Sequence, residues 1–280
     1  LGTNCVSSGV VYRANITEGM TEPAYFETVS KLLQAFRDPH VWLLTPLGDM
    51  YTIEHLGYSR NYNQSITRAY LSDIEIHNDK ISSAFINDSI GYLFCADFKG
   101  DEVVNNDIYK SVFNKFSNTK GLIIDLRIND GGSVYNAQNL LSKLSDETVL
   151  WHTTQNRTLD GFDDKFEWFI EPDTDIYYQH PVIVLNGRFT ISAGERFAIG
   201  AKLLDHLTIL GDTTANTQGS VVGREMLNGW KYTLTFEKCL DPNGINYAGV
   251  GIPPDEYISF ENSVSDNRDY ILERAIELLE

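Results

Sequence analysis

Two unbroken apolar runs, each closing on a turn of small residues, constrain this chain more than anything else in it. Gly121-Leu122-Ile123-Ile124-Asp125-Leu126 leads into Asn129-Asp130-Gly131-Gly132, and Val182-Ile183-Val184-Leu185 leads through Asn186-Gly187 to Ser192-Ala193-Gly194-Glu195. Strands that are apolar at every position are buried on both faces, so each needs helices to cover it. The pattern supplies them. It reads as strand Ile90 to Phe98, helix near Asp107 to Phe116, strand Gly121 to Leu126, helix Val134 to Leu144 and strands near Val149 and Val182. A helix Ser192 to Leu204, a strand Leu207 to Leu210 and a hairpin-like strand with Trp230, Tyr232, Leu234 and Phe236 alternating follow. Strands alternating with helices predict a layered α/β domain.

Ahead of this core, Thr21-Glu22-Pro23 reads as a helix start, with Tyr25, Phe26, Val29, Leu32, Leu33 and Phe36 recurring on one helical face. Val41 to about Ser89 shows short apolar runs, tyrosines and polar turns, which predict short strands or a small cap. The expected organisation is thus an N-terminal helical region over 1–45, a mixed short-strand segment over 46–89 and a core over 90–280.

The chain, 280 residues with 42% hydrophobic and 22% charged, is long enough to bury a sizeable core. No apolar stretch approaches the roughly 20 residues that cross a bilayer. A formal charge of −17 argues against nucleic-acid and anionic-membrane partners. Cys5, Cys95 and Cys239 are too few for a disulfide framework and lack zinc-site spacing, so no metal is expected, and Cys95 reads as core. The polar stretch Leu1 to Ser8 reads as a stub left by a removed leader, which predicts an exported protein: periplasmic, cell-envelope lipoprotein or extracellular.

Ser192 sits where a strand gives way to a helix, a turn that lifts its hydroxyl clear of the sheet beside unpaired amides that can stabilise an oxyanion. Ser192 with Glu195 also fits a capping box, in which both side chains merely satisfy helix-start amides. These residues alone favour the cap.

Asp125-Leu126-Arg127-Ile128-Asn129-Asp130-Gly131-Gly132, followed further on by Ser192-Ala193-Gly194-Glu195, resembles the paired motifs of the C-terminal processing (tail-specific) and tricorn-type serine peptidases. Weaker echoes lie in Gly211 to Thr214, Gly249 to Asp255 and the closing helix Asp269 to Leu279, so the resemblance runs from about Ile90 to the C-terminus. It implies a crotonase-like superhelix of ββα units and a serine endopeptidase acting on polypeptide through a Ser192 acyl-enzyme, with no cofactor. No PDZ pattern is visible. The tail-specific branch takes its base from a lysine just past the Gly-x-x-Thr segment, but Thr213 to Ser220 holds no lysine, and Lys202 reads as a surface charge. The tricorn-type branch uses a histidine from an Asp-x-His segment after a helix, matched by Asp38-Pro39-His40, so the resemblance implies His40 as general base. The other histidines, His55, His77, His152, His180 and His206, match no motif.

Ala193 and either Gly131 or Gly132 are the expected oxyanion donors, because amides fixed by the fold need no reorganisation as charge develops. Asp125 and Arg127 are expected to tie the loop in place. Tricorn-type relatives place a supporting glutamate where this chain has Ala248, leaving Asp38, Glu195 or the Ser220 hydroxyl to substitute. Phe162, Phe166, Trp168 and Phe169 could line a substrate groove but read more readily as packed under a long loop, outside the site. Two other classes share the fold: a non-catalytic binder of peptide or apolar ligand, favoured by Ala248 and the missing lysine, and a crotonase-type acyl-CoA enzyme, which explains neither motif.

Overall fold

The computed structural model describes residues 12–52 and 58–280. Cys5, His55 and the Leu1 to Ser8 stretch lie outside them. At the centre is a seven-stranded sheet. It is built from β3 (Ser72–Ile76), β4 (Ile81–Ile86), β5 (Ile90–Cys95), β6 (Gly121–Asp125), β9 (Val182–Asn186), β10 (Leu207–Gly211) and β14 (Glu256–Tyr257), in the order β14-β10-β9-β6-β5-β4-β3. From β5 to β14 neighbouring strands are parallel, whereas β3 and β4 join antiparallel. The two apolar runs form β6 and β9, adjacent and buried at every residue.

Alternation along those strands divides the core. Leu122, Ile124, Val182 and Val184 face α3 (Glu102–Lys115), α4 (Val134–Leu141) and α5 (Ala193–Ala201), packing with Phe113, Leu140 and Phe197. Ile123, Ile183 and Leu185 face the opposite way, onto Ile271, Leu272 and Ala275 of α7 (Tyr270–Leu279). The molecule is therefore a mixed α/β fold with several sheets, helices covering both faces of the largest.

Two smaller sheets flank it. One has the order β11-β12-β1-β2, from β11 (Val221–Glu225), β12 (Lys231–Thr235), β1 (Trp42–Leu44) and β2 (Met50–Thr52); the other has the order β13-β7-β8, from β13 (Glu237–Leu240), β7 (Val149–Asn156) and β8 (Phe166–Ile170). Helix α1 (Glu22–Gln34) packs Tyr25, Phe26 and Val29 against Trp230 beside Leu43. The short α2 (Gln64–Arg68) and α6 (Ser263–Asp266) complete the set.

Several boundaries differ from the sequence reading. α3 starts at Glu102 rather than near Asp107, because the Asp101 carboxylate caps it, accepting from the amides of Val103 and Val104 at 3.0 and 3.1 Å. Its first turn exposes both valines, which hides the amphipathic period there. The Val134 helix ends at Leu141 and tightens into a 3₁₀ turn over Ser142–Leu144, and the Ser192 helix stops at Ala201. Two of the aromatics expected beneath a loop are instead open: Phe166, on the edge strand β8, is 62% exposed and Phe162, in the loop before it, 43%, while Trp168 and Phe169 are half-buried. Cys95 is fully buried in the core.

Candidate active site

The two turns that follow β6 and β9 interlock. The Thr190 hydroxyl donates to the Leu126 carbonyl at 2.7 Å, and the Ile191 amide donates to the Asn129 carbonyl at 2.9 Å. This brings Ser192 against the glycine loop: a Cβ added at Gly131 would lie 2.7 Å from the Ser192 Cβ. Gly131 has φ +69° and Gly132 +138°, conformations that side chains oppose.

Ser192 itself adopts φ 57°, ψ −116°, a region non-glycine residues rarely occupy. An ordinary N-cap residue is extended; Ser192 makes no cap hydrogen bond of ordinary geometry, although its side chain faces the Glu195 backbone in a capping-box arrangement. The strained turn is held instead by the Ser192 amide, which donates to the Thr217 carbonyl at 3.2 Å and to Glu195 Oε2 at 3.3 Å. Ser192 and Glu195 thus form a reciprocal capping box, and Ser192 does so from a strained turn that also sets it against the glycine loop.

The glycine amides are not equivalent. Asn129 Oδ1 accepts from the Gly131 amide at 3.0 Å, while its Nδ2 donates to the Cys95 carbonyl at 2.9 Å. The amides of Gly132 and Ala193 have no intramolecular acceptor among the described residues. They remain available to an incoming oxygen.

His40 follows α1 on a tight turn closed by the Val41 amide on the Asp38 carbonyl at 2.9 Å. Its own amide donates to Asp38 Oδ1 at 2.9 Å, and its Nδ1 lies 2.8 Å from Thr217 Oγ1. The Thr217 hydroxyl also bonds Asp38 Oδ1, at 2.7 Å, and Thr235 donates to Asp38 Oδ2. A hydroxyl has one proton to give, and a carboxylate is the stronger acceptor. Thr217 therefore donates to Asp38 and accepts from His40 Nδ1–H, a tautomer that leaves Nε2 unprotonated. Burial and the Arg196 charge lower the His40 pKa, opposed by the Asp38 and Asp130 carboxylates. The imidazole is neutral near pH 7.

Helix α5 clamps the loop carrying Thr217. The fully buried Glu195 accepts from the Thr214 hydroxyl at 2.6 Å, the Asn216 amide at 2.8 Å, the Thr217 amide at 2.7 Å and Gln218 Nε2 at 3.2 Å. Burial raises its pKa and these bonds resist the rise. Arg196 donates to the Gln218 carbonyl at 2.9 Å, pairs with Glu237 and touches Ser220 Oγ at 3.4 Å. Ser220 in turn donates to Glu237 Oε2 at 3.2 Å, so its hydroxyl belongs to that ion pair and not to His40. Thr217, Arg196 and Glu237 were not picked out from sequence; Thr217 lies in the polar run Thr213 to Ser220, where only a lysine was sought, and Arg196 and Glu237 belong to no motif.

Arg127, buried with Asp125 and Asp269, donates to them at 2.6 and 2.8 Å and ties the glycine loop to α7. Lys202 pairs with Asp255 at 2.6 Å. His152 is buried against Trp168 and Arg196. His77 bonds Ser83 Oγ at 2.8 Å with Glu75 3.7 Å away, a triad look-alike, but Ser83 is fully buried and no substrate reaches it. Among the described residues no group of three or more His, Cys, Asp or Glu side chains is placed to hold a metal ion, and no helix is long and apolar enough to cross a membrane.

The chain is similar to known peptidases. A tricorn protease from Thermoplasma volcanium is 27% identical over 212 residues, which is 72% of this chain but 18% of that protein, so the chain spans under a fifth of that curated relative. A solved structure of a candidate peptidase from Parabacteroides merdae superposes with TM-score 0.88 at 27% identity, covering 99% of this chain and 89% of the other. Mature CPAF complexed with lactacystin shares the fold at TM-score 0.61 and 17% identity, over 84% of this chain and 66% of CPAF. Residues 89–258 match the pattern of peptidase family S41, more than half of the chain, and the chain belongs to that family.

Proposed function

We propose that this protein is a serine endopeptidase with Ser192 as nucleophile and His40 as general base. The observation that carries the reading is Thr217, whose carbonyl accepts the Ser192 amide while its hydroxyl joins His40 Nδ1 to Asp38. In this arrangement His40 Nε2 takes the hydroxyl proton as Ser192 Oγ attacks the scissile carbonyl. The carbonyl oxygen becomes an oxyanion received by the amides of Ala193 and Gly132. Collapse expels the amine, which takes the proton back from His40, and water then hydrolyses the acyl-enzyme by the same base. Asp38 acts through Thr217, and the backbone amide it also accepts fixes the His40 turn. The missing glutamate at Ala248 is thereby replaced by a different acid.

The parallel strands and the helices packed on them are consistent with the crotonase-like stack of ββα units, and a protein of like fold is described as a Streptococcus agalactiae lipoprotein, consistent with export. Labelling with a small serine-reactive phosphonate, read by intact mass, tests the mechanism. Modification of wild type that is lost in Ser192→Ala and His40→Ala is expected. A folded wild type that resists the reagent under conditions that modify another serine peptidase would leave a non-catalytic binder as the better account.

A further inference from the structure

Large apolar side chains that stay open beside a catalytic turn are a recognition surface rather than core. Tyr135, 52% exposed, stands in the first turn of α4, which begins directly after Gly132 and Ser133. Its ring packs on Trp168 of β8 with centroids 5.6 Å apart, and the 62% exposed Phe166 meets Trp168 edge-on at 5.3 Å. Trp168 is fixed from behind: its Nε1 donates to Thr154 Oγ1 at 3.1 Å, and its ring stacks on His152 at 5.5 Å. His152 Nε2 contacts Arg196, four positions along the chain from Ser192, at 3.4 Å. The aromatic step is therefore joined to the reaction centre by two routes, through the glycine loop and through α5. Phe162, by contrast, already lies under Arg157 and Lys238 at 5.2 and 5.4 Å and is not open in the same sense.

We infer that Tyr135 and Phe166, backed by Trp168, form a subsite that receives a large apolar or aromatic side chain of the polypeptide substrate. This inference rests on the peptidase reading and names its substrate preference. The chain sets the reach. Four residues separate Gly131 from Tyr135, at most about 14 Å of backbone, and Gly131 touches the Ser192 turn. An extended peptide advances about 3.4 Å per residue. The recognised side chain thus lies within about five residues of the cleaved bond. The platform is rigid where it meets the core and open at its rim, the arrangement that gives aromatic contacts their area at small entropic cost.

The test is a set of fluorogenic peptides in which phenylalanine or alanine is placed in turn at each of the five positions on either side of the cleaved bond. They are compared on wild type and on the Tyr135→Ala, Phe166→Ala double variant. Both side chains are more than half exposed, so the variant is expected to fold. Wild type should favour phenylalanine at one position by at least about tenfold in kcat/KM, a difference of about 1.4 kcal/mol. The double variant should bring that ratio within about threefold while its phosphonate labelling rate stays that of wild type. A wild type that labels but shows no such position, or a double variant that keeps the preference, overturns the subsite and leaves the peptidase reading standing. Absence of both labelling and cleavage overturns the two together. A concentration-dependent dimer that the double variant abolishes would assign the patch to a second copy of the chain and also refute the subsite.

Discussion

Thr217→Val removes one hydroxyl and leaves a side chain of similar size, and the structure sets what that costs. Two hydrogen bonds disappear, from His40 Nδ1 at 2.8 Å and to Asp38 Oδ1 at 2.7 Å. Asp38 keeps the His40 amide and the Thr235 hydroxyl, so its charge stays partly satisfied. The imidazole keeps only the Gly219 backbone as a partner. The two lost bonds together are worth about 1–3 kcal/mol, and at 1.36 kcal/mol per tenfold in rate that is a loss of about five-fold to about 150-fold in turnover. Release of the ring into the wrong tautomer enlarges the loss toward the roughly 10⁴-fold seen when a triad acid becomes an amide. Thr217→Ser retains the hydroxyl and should stay within about threefold of wild type. The assay is the second-order rate of phosphonate labelling from about pH 5 to about pH 9, with a thermal melt to confirm folding. In wild type the rate should rise with pH through a midpoint below 6.5, because burial and Arg196 disfavour the charged imidazole more than Asp38 and Asp130 favour it. A valine variant that labels at the wild-type rate, or a serine variant that falls as far as valine, refutes the role given to Thr217.

Other perturbations separate the site from its scaffold. Gly131→Ala places a Cβ 2.7 Å from the Ser192 Cβ and 2.9 Å from the Ile191 carbonyl at φ +69°, so labelling should fall below detection while far-UV circular dichroism is kept. Ser83→Ala breaks the His77 look-alike and should leave the labelling rate unchanged, because that serine is fully buried. Asp269→Ala strips the buried Arg127 of one of its two carboxylates and also removes the partner of the Thr67 hydroxyl, for an expected loss of about 3–5 kcal/mol by urea unfolding at pH 7. His152 is held neutral by burial and by Arg196, its pKa lowered to about 2, against 6.5 in the unfolded chain. The unfolded state therefore binds a proton that the folded state refuses: this contribution is complete above pH 6.5 and is lost as pH falls toward 2. It amounts to about 1.4 kcal/mol per pH unit, and His152→Gln should flatten that acid arm in urea titrations at pH 6.5 and pH 4.5.

Much of this protein was legible before any fold was known, and the reasons are local. Apolar runs at Leu122 to Ile124 and Val182 to Leu185 can only be buried strands, and a small-residue turn after each can only lead back over the sheet as a helix. The layered α/β character followed, as did the closeness of Ser192 to a helix start. Asp38 and His40 stood out only through the resemblance of Asp38-Pro39-His40 to the Asp-x-His segment of tricorn-type peptidases. The nucleophile role proposed for Ser192 draws on features that are not local. It rests on a positive φ that the Thr217 carbonyl and Glu195 hold in place, and backbone strain leaves no mark on residue type. The link between His40 and Asp38 runs through a hydroxyl 177 positions away from His40, which no spacing rule reaches. Which glycine amide stays open depended on where the Asn129 side chain pointed. Whether Phe166 was core or surface depended on β8 lying at a sheet edge. Sequence determined which segments are strands and helices because burial pattern and turn chemistry act over a few residues. Only the tertiary structure decided which polar groups meet, because hydrogen bonds and exposure are settled by whatever distant segment the packing brings alongside.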